Sequence, residues 1–225
     1  MSMAGHPSVT STLFDVVARR DPSAWLALVR NPTAASVEAA FDDATRHVGR
    51  APLALTPEEQ QALREAGVTW SLDAWCVDDA ARVGLLTAAA GWLHADALQT
   101  VIERRWGAGD GRQRCAVLRA LPVLPSPERF LALALQARQG AVRRVFEALA
   151  CDNPYPAIYF HDVHFTDLVV AALEADLPLA RIVGLAERVS GDLVSRARRF
   201  AAARRAAGRS VPADLWRVSG DRSAA

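Results

Sequence analysis

The 225-residue chain contains no lysine; all 26 of its basic residues are arginine. That absence removes whole chemistries. A Schiff base to a carbonyl substrate or to pyridoxal phosphate needs a lysine amine, so pyridoxal-phosphate enzymes and class I aldolases are excluded. A Walker-type phosphate loop needs a lysine, so that nucleotidase class is excluded too. Cysteine is scarce: Cys76, Cys115 and Cys151 lie far apart, and no CxxC pair exists. A disulfide framework is not expected, and a reducing compartment fits best. No run of about 20 apolar residues occurs, so no membrane span is expected. The opening MSMAGHPSVTSTLF lacks the basic and apolar regions of a signal peptide. The expectation is a soluble, cytoplasmic protein. HExxH, CxxC and GxSxG spacings are all missing. Charge of one sign is missing as well: the formal net charge is +1. The charges read as mixed rather than gathered into a basic face, so no nucleic-acid partner is expected.

What is present reads as globular and helical. Hydrophobic residues make up 51% and charged residues 23%, and a chain of this length buries roughly 70% of its unfolded surface. Thr10 or Ser11 can cap a helix over LFDVVARR, Pro22 starts a second, and Pro32-Thr33 starts a third through His47. Thr56-Pro57-Glu58-Glu59 joins a capping threonine, a first-turn proline and a capping-box glutamate, and Gly67 stops that helix. Amphipathic stretches then follow at 72–92, 94–106, 110–121, 126–137, 139–150, 165–175, 178–187 and 190–207, parted by Gly, Pro or Ser-Pro breaks. No window alternates like a half-buried strand. Trp70, Trp75 and Trp92 fall at apolar spacing and read as core. The expected fold is all-α: either an irregular right-handed stack of antiparallel helix pairs, a HEAT-like α-solenoid, or a helical bundle. The expected organisation is a disordered stretch over 1–10, an N-terminal helical region over 11–70, a helical domain over 71–210 and a tail over 211–225.

One stretch gathers the unusual residues. ACDNPYPAIYFHDVHF, Ala150 to Phe165, holds both tyrosines of the chain and two of its five histidines. Asn153-Pro154 starts a turn, and Pro156 repeats the restraint on the residue before it. A stiff elbow of about ten residues is expected, with a new helix near Phe165. Tyr155 and Tyr159 offer rings and hydroxyls, and Asp152 and Asn153 offer short polar heads. A rigid turn with satisfied hydroxyls and Phe160 in the core explains these residues; so does a ligand or partner contact, and rigid loops often carry function. His161 and His164 lack a definite third ligand, so no metal is expected. Cys151 beside either histidine can be written as a thiolate pair, but a small buried hydrophobe is the stronger reading. Arg196, Arg199 and Arg204, on one side of the last helix, can meet phosphate or carboxylate, but a solvated helix complementing its own dipole is the stronger reading.

Cys151 to Leu185 resembles the EboA domain family. The resemblance is carried by NPYPAxYF (Asn153 to Phe160), then Phe165 and an apolar helix, then Leu177-Pro178-Leu179-x-x-Ile182-x-Gly184-Leu185. The closing arginine-rich helix, Ala206-Ala207-Gly208-Arg209 and Trp216-Arg217 are also similar. About seventy residues match. The resemblance implies a member of a small bacterial gene cluster that moves or matures secondary-metabolite precursors toward the periplasm. The other members look like a prenyltransferase, a sugar-phosphate cyclase and metal-dependent hydrolases or isomerases. It implies no catalytic residue and no cofactor. Two functions follow. One is a non-catalytic helical adaptor for proteins of that cluster or for a small metabolite, with the elbow as anchor. The other is an enzyme on a cyclitol-like or prenylated intermediate, with Asp152, Tyr155, Tyr159, His161 and His164 as acid–base groups and C-terminal arginines meeting phosphate.

Overall fold

The computed structural model describes residues 8–19, 33–140 and 142–220. Among them the fold is all-α; the one extended pairing is an isolated bridge between Pro52 and Cys76. The helix expected from Pro22 lies outside the described residues, as do residues 1–7 of the expected N-terminal lead-in. The chain divides into two compact units, residues 1–133 and 134–225.

The first unit holds α1 (Val9–Ala18), α2 (Ala34–Val48), α3 (Pro57–Glu65), α4 (Val77–Ala89), α5 (Ala95–Ala108) and α6 (Gly111–Ala120). Short-range chemistry sets their starts. Thr33 caps α2 and Thr56 caps α3, each accepting from the backbone N–H three residues on. Asp110 does the same for α6, satisfying donors that a helix start leaves open. The cap of α1 is Ser8, paired reciprocally with Ser11, rather than Thr10 or Ser11 itself.

Helix α4 is the centre of this unit. It packs against α1, α2, α5 and α6 and is buried almost all round, Asp78, Asp79 and Arg82 included. Buried charges need partners, and they have them. Asp78 Oδ2 accepts from Arg82 Nη1 at 2.8 Å, Thr45 Oγ1 at 2.8 Å and Arg112 Nε at 3.0 Å, while Oδ1 accepts from Arg112 Nη2 at 2.5 Å. Arg82 also donates to the Phe41 carbonyl and to Thr45. Asp79 pairs with Arg119 at 2.5 Å and accepts from the Cys76 N–H. Burial pushes the Asp78 carboxyl up, but the hydrogen bonds from Arg112, Thr45 and Arg82 outweigh it and hold the group below its ordinary value. Trp75 is core as expected, with the Arg119 guanidinium over its ring. Trp92 is not: α4 ends at Ala89, and Trp92 is 65% exposed in the turn beyond.

Helix α7 (Leu131–Gln139) begins just before the division, after a 3-10 turn at Pro127–Phe130. The second unit continues with α8 (Arg143–Ala150), α9 (Tyr155–Tyr159), α10 (Asp162–Glu174), α11 (Gly191–Ala206) and α12 (Trp216–Ser219). Helix α10 packs on α8 and α11, and α11 on α12. The expected helix at 178–187 is instead two 3-10 turns, Leu179–Arg181 and Ala186–Arg188. The reason is visible: Arg181 spends its carbonyl on the Asp152 N–H, and Gly184 takes φ +72°, which a right-handed helix does not permit.

Candidate functional site

The elbow joins α8 to α10. Helix α8 closes at Cys151, and Asp152 turns the chain with φ +50°, a left-handed conformation that Asp and Asn tolerate better than other residues. The turn is held from outside. The Asp152 N–H donates to the Arg181 carbonyl at 2.7 Å, and Asp152 Oδ2 accepts from Arg181 Nε and Nη2 at 2.8 and 2.7 Å. Arg181 Nη1 reaches Glu147 at 2.7 Å. Burial pulls the guanidinium's basicity down, but the hydrogen bonds and charges of these two carboxylates together outweigh it and hold the group above its ordinary value.

Asn153 bridges the two helices. Its Nδ2 donates to the Ala148 carbonyl at 3.0 Å, and its Oδ1 accepts from the Tyr155 N–H at 3.0 Å. One side chain thus caps the end of α8 and the start of α9, and it is 3% exposed. Pro154 and Pro156 fit the first turn of α9, where a missing N–H costs nothing. A single helical turn therefore occupies the expected irregular elbow, and α10 starts at Asp162 rather than near Phe165. Tyr155 is fully buried; its ring lies 4.7 Å from that of Tyr159 and edge-on to Phe160 at 6.4 Å. Phe160 in turn meets His164 edge-on.

Arg188 closes the elbow from the other side. Its Nη1 donates to the carbonyls of Pro156 and Ala157 at 3.1 and 2.9 Å, and its Nη2 to Phe160 O and Asp162 Oδ1 at 2.8 and 2.7 Å. The guanidinium also sits 4.5 Å from the centre of the Phe165 ring. Gly184 lies against the same turn: a Cβ there would come 2.6 Å from Ala157 Cβ.

The elbow thus brings Asp152, Asn153, Tyr155, Tyr159, Phe160 and His164 together. Tyr159 and His164 are half-buried, His161 is exposed, and His164 Nδ1 is buried with no hydrogen-bond partner among the described residues. The two arginines separate. Arg196 donates to Asp167 of α10 at 2.7 Å, a carboxylate shared with Arg138 at 3.1 Å, whereas Arg199 is exposed on the far side of α11. Burial pushes the Cys151 thiol up to about 12, which opposes a thiolate. The sequence reading missed Arg181 and Arg188. Neither carries a local signal, because their partners lie 26 to 34 residues earlier.

Elsewhere, Cys76, Asp78 and Asp79 place donor atoms within 4.8 Å of one another. Both carboxylates are already neutralised by arginines, whose charge repels a cation from that spot. A groove of about 310 Å³ in the second unit is lined by Leu179, Ile182, Gly184, Leu185, Trp216 and Arg217, among others. It joins the 177–185 segment to Trp216-Arg217, and Gly184 connects it to the elbow.

A search of curated proteins and a search of solved structures each gave no significant match. The model of one family, EboA, described as metabolite traffic protein EboA, matches residues 21–220. That match spans the elbow, its two arginine clamps and the groove, and the chain belongs to the EboA family.

Proposed function

We propose that this protein is a non-catalytic helical adaptor of a bacterial secondary-metabolite cluster, working in the cytoplasm in the traffic of a pathway intermediate. Its partners are other proteins of the same cluster or the intermediate itself, met through the outer surface of the elbow. The stacked arrangement of helix pairs, solenoid or bundle, belongs to this proposal. One observation carries it. Ile158 and Val163 are 64% and 59% exposed, and Val189 is exposed as well. Each is one residue from a group bonded within the Arg188 clamp: Ala157, Asp162 and Arg188 itself. Three exposed apolar residues thus adjoin, along the chain, groups that one guanidinium ties together. Isolated exposed apolar residues need no explanation, but grouped ones mark contact surfaces.

The enzyme reading has less support. It needs Asp152, Tyr155, Tyr159, His161 and His164 to converge on an open pocket. Asp152 is engaged by Arg181, and Tyr155 is sealed.

The test is titration calorimetry of the purified protein against each purified protein of its gene cluster and against their intermediates. At least one should bind. Ile158→Asp with Val163→Asp should weaken that binding by about tenfold or more, as expected for central apolar contacts. Absence of any binding refutes the adaptor. Binding unchanged by the double variant refutes the elbow as anchor.

A further inference from the structure

The arginines of the C-terminal segment are sorted by face. Residues 193–217 hold seven arginines and one acidic residue, Asp214, a strong local excess in a chain whose net charge is +1. The expectation of evenly mixed charge fails here. Helix α11 turns Leu193, Ala197 and Ala201 inward. Arg196 and Arg204 flank that inner face and are engaged: Arg196 with Asp167, Arg204 with Asp176 and the Ser210 carbonyl. Ser195, Arg198, Arg199, Ala202, Ala203, Arg205 and Ala206 are exposed, and Arg209 follows past the helix end. Among the described residues, no acidic side chain pairs with Arg198, Arg199 or Arg209.

The solvated-helix explanation does not cover this face. A helix that is merely solvated carries both signs at i, i+3 and i, i+4. The one acid within α11 is Asp192, which leans toward Arg196. The helix dipole accounts for cations only in the last turn, so it leaves Arg198 and Arg199, in mid-helix, unexplained.

The shape of the face selects the polyanion. Between the guanidiniums stand Ala202, Ala203 and Ala206, a low shelf that lets another helix approach at close interaxial distance. A membrane-surface helix instead buries Trp, Phe or Leu, and the exposed positions of α11 hold only Ser, Arg, Ala, Gly and Asp. Guanidinium forks match carboxylates bidentately. We propose that the outer face of α11, centred on Arg198 and Arg199, docks an acidic α-helix of a partner protein. The inference stands apart from the elbow reading, because its test leaves Ile158 and Val163 untouched.

The test uses the full chain and a fluorescent synthetic Glu/Ala helical peptide, with a Gln/Ala peptide as control, at about 150 mM salt, where diffuse attraction is screened. Anisotropy should show binding of the Glu peptide only. Arg198→Gln with Arg199→Gln should weaken it by about tenfold or more. Ala202→Gln with Ala203→Gln, which keeps every charge, should weaken it similarly by filling the shelf. All four positions are exposed, and unchanged circular dichroism confirms the fold. Failure of the Glu peptide to bind, or equal binding of both peptides, overturns the proposal. So does binding indifferent to the alanine changes, which means unspecific attraction. Anionic phospholipid vesicles or duplex nucleic acid bound while the peptide is not would reassign the face to those partners. An Ile158→Asp variant should bind the peptide normally; loss there also overturns it.

Discussion

Replacing Arg188 by methionine keeps an unbranched apolar stem and removes the guanidinium that closes the elbow. Three backbone carbonyls, of Pro156, Ala157 and Phe160, then lose a charged donor. Charge-assisted bonds contribute about 1.5–3 kcal/mol each, but carbonyls this near the surface regain water, so about 1 kcal/mol each is the better figure. The stack on Phe165 adds about 1 kcal/mol. The Asp162 pair adds little, because that carboxylate is 90% exposed. Freeing a long side chain returns about 1 kcal/mol. The net loss is about 3 kcal/mol, or roughly 6–12 °C in melting temperature for a chain of this size. Urea titration followed by circular dichroism measures it, and Asp162→Asn should cost less than about 1 kcal/mol by the same assay. Native-state hydrogen exchange gives the local signature: the amides of Ile158 and Phe160, bonded to Pro154 and Pro156, should lose protection first. A loss under about 1 kcal/mol for Arg188→Met, or an equal loss for Asp162→Asn, refutes the account of Arg188 as a carbonyl clamp.

Gly184→Ala should destabilise by about 2–4 kcal/mol in the same titration, combining left-handed strain with overpacking against Ala157; a neutral result refutes the close approach. Asp78→Asn should cost about 3–5 kcal/mol, because Arg82 is left buried without a counter-charge. The folded Asp78 carboxyl lies below its ordinary value of 3.8, so its stabilisation is present above that pH and lost as pH falls through the lower folded value; the variant should flatten that part of the acid-stability curve. Cys151, with its thiol pushed up to about 12 from 9.0, should resist iodoacetamide at mildly alkaline pH while half-buried Cys76 reacts first. Its raised value keeps its stabilisation intact below 9.0 and loses it as pH climbs toward 12, a loss that Cys151→Ala should remove.

Local chemistry was the legible part of this fold. Thr33, Thr56-Pro57-Glu59 and Asp110 act within three residues of themselves, so the helix starts they set are readable from the chain. The elbow was legible as a place, because Asn153, Pro154 and Pro156 restrict their own backbone. Its chemistry was not, since Arg181 and Arg188 arrive from a later segment with no periodic signal. The 178–187 stretch carries helical apolar spacing, yet a tertiary bond from Asp152 to the Arg181 carbonyl overrides it. Helix α4 hides its chemistry in another way. Charged residues are mostly exposed in folded chains, but other helices surround α4, and Asp78, Asp79 and Arg82 are buried by pairing. Only the i, i+4 spacing of Asp78 and Arg82 hints at that network.

The absence of lysine gains physical meaning from these contacts. An ammonium is a compact point charge with three donors, whereas a guanidinium is a rigid fork with five. Arg188 reaches three carbonyls and a carboxylate, Arg82 a carbonyl, a carboxylate and a hydroxyl, and Arg181 two carboxylates. Each does so from a fixed plane, tying together segments distant in the chain. A lysine at any of these positions would satisfy fewer acceptors, and at the buried Arg82 it would leave the others unmet in a dry environment. An arginine-only composition can arise for reasons unrelated to structure. Once present, it lets single side chains perform closures that otherwise need several residues. Arg198 and Arg199, on the outer face of α11, have the same donor geometry and no acidic partner among the described residues. The same chemistry that folds the elbow is there turned toward another molecule.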